Sequence, residues 1–387
     1  MKKSKLILII VSVVCIILGS AMAVGAYFSL KNDASSQLSA IHFEQTTHTV
    51  DQPFTNLNIR TVNSSIEILP SPDGVCRIIC DDSEKLYHSI SVTESVQGVQ
   101  LNINQQEDWQ WFEMLYGLYR TEDIRLRVYL PEREYALLHA DSVSGDITVS
   151  PDFCFETVNT HTSSGNTKLT GLKANYLTVG TVSGDLDLRN VEAANDVYAQ
   201  NASGFTQMEH ATAPSITTST SSGGTVLDQV CSDFLHSTSV SGEIRVFNGK
   251  VRDESYFESG SGHIEITASE CGEHVMLTVS GNVTLQNAAG SSLNISTTSG
   301  EIIISDALYS ENVLCHTGSG AILFTGLDAA NLEFLSTSGG VAGNLLSPKN
   351  FITETVSGFV DVPRSEESNG TCHISTVSGN IDIAIEP

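Results

Sequence analysis

Carboxylates are the residues of this sequence best suited to chemistry. Asp146, Asp185, Glu243 and Glu301 each stand directly after a Ser-Gly pair. Hydrolysis of a polysaccharide needs such acids grouped in one cleft, with an Arg or Lys beside them. After the other Ser-Gly pairs the same position holds Asn, Phe, His, Ala or Gly, so the acids are dispersed along the chain. The 11 histidines are scattered too. Ser-Gly recurs so often that no one serine is marked as a nucleophile, and no glycine-rich phosphate loop follows a strand and opens a helix. Cysteines and histidines lack the clustered spacing of a zinc site. The expectation is a non-enzymatic protein without catalytic, cofactor-binding or metal-binding residues; the alternative is an exported polysaccharide-processing enzyme of β-helix type.

The elements that carry these residues repeat. Glycines of the Ser-Gly pairs fall at Gly145, Gly165, Gly184, Gly204, Gly223, Gly242, Gly262, Gly281, Gly300, Gly320, Gly339, Gly358 and Gly379. The gaps are 19 or 20 residues, with a final one of 21, a period that marks a repeat architecture. Two residues after each glycine stands an aliphatic side chain or a threonine. Four residues after it comes another apolar position, with polar residues between, as in a half-buried strand. Seven residues before the glycine, ten of the thirteen copies are apolar and Ser255, His274 and Cys372 are the exceptions, which predicts a second strand per repeat. The fold class is all-β, a parallel β-solenoid over 141–387. The glycines are read as structural corners, chosen for tolerance of positive φ.

Residues 41–140 form a β-rich N-terminal cap region of the same rod, in which "VNSSIEI" is a degenerate corner with Ser65 in the glycine's place. The insertion 108–119, "DWQWFEMLYGLY", holds both tryptophans. Its Trp109, Trp111, Phe112, Tyr116 and Tyr119 either plug the open end of the first coil or form a contact surface. The other end stops soon after Gly379, so the last coil is expected to be incomplete and guarded by Asp382, Glu386 and Pro387 alone.

The N-terminus sets the compartment. Lys2, Lys3 and Lys5 lie in a cytoplasmic tail over 1–5, before an uncharged stretch over 6–30 that is long enough to span a bilayer as a helix. A tether over 31–40 follows. This reads as a single-pass cell-membrane protein with an extracellular C-terminal domain; Ala21-Met22-Ala23 keeps a cleaved signal peptide open as the competing reading. Net charge is −26, which argues against nucleic acid and keeps a long β-rod soluble. Divalent cations or basic peptides suit such a surface better. Of the eight cysteines, Cys15 is in the apolar stretch. Cys76 and Cys80 are too far apart on one strand face to bridge, and Cys154, Cys231, Cys271, Cys315 and Cys372 read as buried small hydrophobes in separate coils.

A strand ending in "RVYLPE", then "LLHADSVSGDITVS", then reiterated "TVSGDLDL" units resembles the bacterial putative-adhesin family of domains of unknown function. The resemblance covers about residues 50–387 and implies an exported β-solenoid, in some members associated with envelope-stress systems. It implies a cell-envelope component or surface protein as partner, and no cofactor or catalytic residue.

Overall fold

The computed structural model describes residues 43–96, 98–107, 124–364 and 369–386. The predicted tail, anchor and tether, and the aromatic insertion with Trp109, Trp111, Phe112, Tyr116 and Tyr119, lie outside the described residues. Among those residues no helix is long and apolar enough to cross a membrane.

The described strands join into one continuous sheet wound as a parallel β-solenoid. Each coil has a longer strand before the Ser-Gly corner and a short one after it. Lys173–Thr181 runs parallel between Cys154–Thr162 and Glu192–Asn201, and Leu186–Arg189 between Thr167–Thr170 and Thr206–Glu209. The longer strand turns four positions inward, such as Ala174, Leu177, Val179 and Thr181, and the short one two, such as Leu186 and Leu188, so like residues stack into a buried core. The alternation of 19 and 20 residues has a structural cause. In the coils that end at Gly204, Gly262 and Gly320 the extra residue is a bulge near the start of the longer strand.

The corner glycines hold a different job from the one their sequence suggests. None of the thirteen has a positive φ. They are glycines because the coils approach too closely for a side chain: a Cβ on Gly242 would collide with the carbonyl of Gly223, and one on Gly184 with that of Gly165. The corner is fastened by the residue three before the glycine. Thr297 Oγ1 accepts the Gly300 N–H at 2.9 Å and donates to the Gly281 carbonyl at 3.3 Å, which ties two coils through one hydroxyl. Left-handed backbone occurs instead six residues after the glycine, at a second corner. There Asn190, His210, Gln229, Asn248, Ala268, Asn287 and Asp306 have φ between 51° and 56°.

Both ends of the rod depart from sequence order. At the N-terminal end, Asn56–Thr61 and Ser65–Pro70 stack on Glu134–Ser142 and Ile147–Val149, while Gly98–Glu107 and Arg125–Leu130 add outside them. A Cβ on Gly145 would meet the Ser64 carbonyl, so Ser64 stands in the corner glycine's place, not Ser65. Gln105 ends the corner ladder: its Oε1 accepts the N–H groups of Val62, Asn63 and Ser64 at 3.0, 3.3 and 3.2 Å. Antiparallel strands then cover this end, Leu86–Ser95 on Gly98–Glu107 and Cys76–Asp82 on Arg125–Leu130, with Glu44–Val50 beside Cys76–Asp82.

At the other end the last repeat slips inside the one before it. Thr371–Thr376 pairs with Asn331–Ser336 on one side and Asn350–Thr355 on the other. Ile381–Ile385 is likewise flanked by Val341–Leu345 and Val360–Asp361. The expectation of an incomplete, weakly guarded last coil is therefore wrong: its residues are intercalated, and the outermost coil is the penultimate repeat. Lys349, only 1% exposed, fastens the crossover through Asp328 at 2.6 Å and the Asn369 carbonyl at 2.7 Å.

The corner geometry makes a direct prediction. Gly242→Ala should cost about 3 kcal/mol in urea unfolding, because the neighbouring carbonyl cannot yield without parting two coils. Gly224→Ala, whose Cβ meets only the Phe205 ring, should cost less than about 1 kcal/mol, since an exposed side chain can turn away. Equal losses would show that the carbonyl contact is not what demands glycine.

Candidate contact surface

The carboxylates singled out by the sequence are not gathered in one cleft. Asp146 Oδ1 accepts the Asn166 N–H at 2.7 Å, and Asp185 Oδ1 accepts the Phe205 N–H at 2.8 Å. Asn166 and Asn282 do the same for Asp185 and Glu301, at 2.8 and 2.9 Å. These side chains bridge neighbouring coils along the corner line. Glu243 is held by Arg245 at 2.8 Å, and Glu265 by the same guanidinium at 3.3 Å.

A groove of about 800 Å³ lies elsewhere, along the starts of the longer strands where the bulges fall. It reaches from Ala193 to Gly290, across six coils, or roughly 25 Å at the inter-strand spacing. Its floor is made of small residues, among them Ala213, Gly272 and Gly290, and Asp233, Lys250, Arg252 and Glu270 supply its charge. Arg252 Nη2 lies 2.8 Å from Asp233 Oδ2. Cys231 lines this groove and is exposed, and Cys154 is half-buried, so two of the five coil cysteines are not the buried hydrophobes expected.

Beside the groove, the outer face of the longer strands carries aromatic rings. One register column runs Tyr198, Thr217, His236, Tyr256, and a second, two residues upstream, runs Tyr176, Asp196, Ser215, Phe234. Tyr176, Tyr198 and Phe234 are 48%, 37% and 51% exposed. The rings of His236 and Tyr256 lie 4.7 Å apart. Phe234 follows Asp233 directly, so the aromatic face and the groove are continuous. The repeat pattern hides this surface from the sequence, because the inward columns carry the periodicity. The signal was present in the outward ones.

Under the groove floor sits a buried polar pair. Tyr309 packs beneath Gly290, and its hydroxyl lies 3.0 Å from His274 Nδ1; His274 Nε2 is 3.3 Å from Ser269 Oγ. Burial lowers the His274 pKa from its ordinary 6.5 to about 4. The folded state thus binds fewer protons than the unfolded chain between these values, so stability falls as pH drops from about 6.5 to about 4. The gap corresponds to about 3 kcal/mol at 1.36 kcal/mol per pH unit. His274→Leu with Tyr309→Phe, which restores the apolar residue usual in that column, should flatten the melting-temperature profile over this window. An unchanged slope would place the acid sensitivity elsewhere.

In the N-terminal cap, the fold assembles a cluster that the sequence spacing conceals. Cys80, Asp82 and His88 each offer a ligand atom within 4.8 Å of the others. Asp82 Oδ1 is 2.7 Å from His88 Nδ1, and Asp82 Oδ2 accepts the Thr46 hydroxyl at 2.6 Å. Burial opposes ionisation of Asp82, but these hydrogen bonds outweigh it and hold its pKa below the ordinary value. Burial pushes the Cys80 thiol up to about 12.

The fold and its surface define a parallel β-solenoid with a lengthwise groove and an aromatic flank. A family model described as Toastrack DUF4097 matches residues 54–271 and again 193–384, and the chain belongs to that family. No curated protein matches the chain. Among solved structures, the crystal structure of a putative cell adhesion protein from Clostridium sporogenes ATCC 15579 is similar at 7% identity. That match covers 63% of this chain and 99% of the other, with a TM-score of 0.28.

Proposed function

We propose that this protein is a non-catalytic surface module that makes lengthwise contact with an extended cell-envelope polymer, in an adhesive or envelope-sensing role. The observation that carries this reading is the continuous groove and aromatic flank. Exposed Tyr and Phe rings on a rigid sheet offer flat apolar contact at little entropic cost, and the mixed charges of the groove offer hydrogen bonds without a strong net field. The stretch 6–30 would hold the module at the membrane as a single-pass anchor, with the rod outside. The dispersal of the corner carboxylates, with Asp146 and Asp185 engaged by a neighbouring coil and Glu243 by Arg245, supports a structural use for them.

A catalytic reading has one observation in its favour: Asp233 and Glu270 share the groove with Arg252 and Lys250, the grouping that polysaccharide cleavage requires. One experiment separates the two. The full chain in detergent is co-sedimented with isolated, insoluble envelope polysaccharide, and the supernatant is assayed for released reducing ends. Saturable binding that falls about tenfold in Tyr198→Ala with Phe234→Ala, without release of sugar, is expected. Release of reducing ends that is lost in Asp233→Asn would establish the enzyme instead, and absence of binding by the unaltered chain would overturn the contact reading.

A further inference from the structure

We propose that Cys80, Asp82 and His88 form a binding site for a divalent transition-metal ion of the zinc class, which clasps the antiparallel cap to the N-terminal end of the rod. The three residues come from the end of Cys76–Asp82 and the start of Leu86–Ser95, so an ion there would cross-link the two cap strands across their turn. Each of these strands lies on a different strand of the outermost coil, Arg125–Leu130 and Gly98–Glu107.

The donor set fits such an ion in kind and in charge. Zinc takes thiolate, imidazole and carboxylate ligands. One thiolate and one carboxylate neutralise a divalent ion, which removes most of the penalty for placing charge in a buried site. Ligand atoms around tetrahedral zinc sit about 3.5 Å apart, so a set already within 4.8 Å needs to close by little more than an ångström.

His88 is 5% exposed, and its Nδ1 faces Asp82 Oδ1 at 2.7 Å inside the fold. An ion held by both takes the place of the proton they share, and that proton moves to the other ring nitrogen. Asp82 is itself aligned by Thr46 and by the His88 backbone N–H at 3.1 Å, so the imidazole and carboxylate are set before any ion arrives. On binding, the Cys80 thiol gives its proton to solvent, the sulfur lone pair goes to the metal, and no electron is transferred. The chain places Glu243, His263 and Glu265 equally close together, but Arg245 already bonds both glutamates there, so a cation would have to displace a guanidinium.

Cobalt(II) is the probe, because its spectrum reports thiolate ligation. The full chain in detergent, kept reduced with a phosphine and stripped with a chelator, is titrated with Co²⁺. One equivalent should produce intense visible bands and an ultraviolet thiolate-to-cobalt charge-transfer band, and Zn²⁺ should bleach both. Cys80→Ser should abolish the charge-transfer band and His88→Gln should weaken binding at least tenfold, whereas Cys231→Ser should change neither. In the unaltered chain Zn²⁺, but not Mg²⁺, should raise the melting temperature reversibly on chelation, a readout that does not depend on either variant folding. No cobalt spectrum, bands that survive Cys80→Ser with His88→Gln, or a melting temperature indifferent to Zn²⁺ would each overturn the site.

Discussion

The structure depends on how closely one coil can lie on the next at the Ser-Gly corner. Glycine carbonyl faces glycine Cα through the stack, in an unbroken line from Gly145 to Gly339 and on through Gly379 to Gly358. No side chain fits between them. In most coils a buried hydroxyl or amide three residues earlier accepts the glycine's N–H and donates to the carbonyl below, as Thr181 and Asn201 do; the Thr220 hydroxyl makes neither bond among the described residues. Every other ladder inherits its register from this one, because a coil that slipped by one residue would turn its apolar columns outward. The close approach also explains why polar residues fill the corner of a buried rod: backbone groups enclosed there need partners that water cannot supply.

A parallel stack leaves an unpaired edge at each end, and the chain manages the two differently. At the N-terminal end the cap strands run antiparallel to the coil they cover, which ends propagation of the parallel register, and Gln105 satisfies the last corner amides. At the C-terminal end the chain folds its last repeat inward, so that the terminal strand has neighbours on both edges. The cost falls on the penultimate repeat, where Ile352, Val356, Phe359 and Val360 are exposed. Termini are where a solenoid frays, and intercalation makes loss of the last coil depend on displacing the one outside it.

The rod and its period were legible in the sequence because each repeat states the same physics thirteen times. Leu186, Ile244 and Ile302 mark the short strand, Leu177 and Leu235 the longer one, and all are buried. The role of the glycines was not legible, since a glycine demanded by close approach and one demanded by positive φ look alike in a list of residues. The second corner was written as Asn190, Asn248, Asn287 and Asp306, types that favour left-handed backbone, but Gln229 and Ala268 obscure it. The 21-residue gap before Gly379 was the one numerical trace of the crossover. Cys80 and Asp82 were visible as neighbours on a strand face; only the return of the cap strand places His88 against them, and no spacing rule for a helix or a single strand encodes that turn.

What separates the proposed contact surface from the scaffold is direction along a strand. Inward columns must repeat, since each residue packs on its counterpart in the next coil, and a change such as His274 requires a compensating Tyr309 two coils away. Outward columns are free to vary, so Tyr198, Phe234 and Tyr256 stand among Thr217, Ser215 and Glu254 without disturbing the core. The bulges of the 20-residue coils act in the same way, since an extra residue outside the inward columns moves the backbone locally and leaves the register beyond it intact. Groove and aromatic flank thus occupy the two places where a solenoid can change its sequence without changing its stack. Specificity for a partner can be built there while the corner ladder holds the coils in register beneath it.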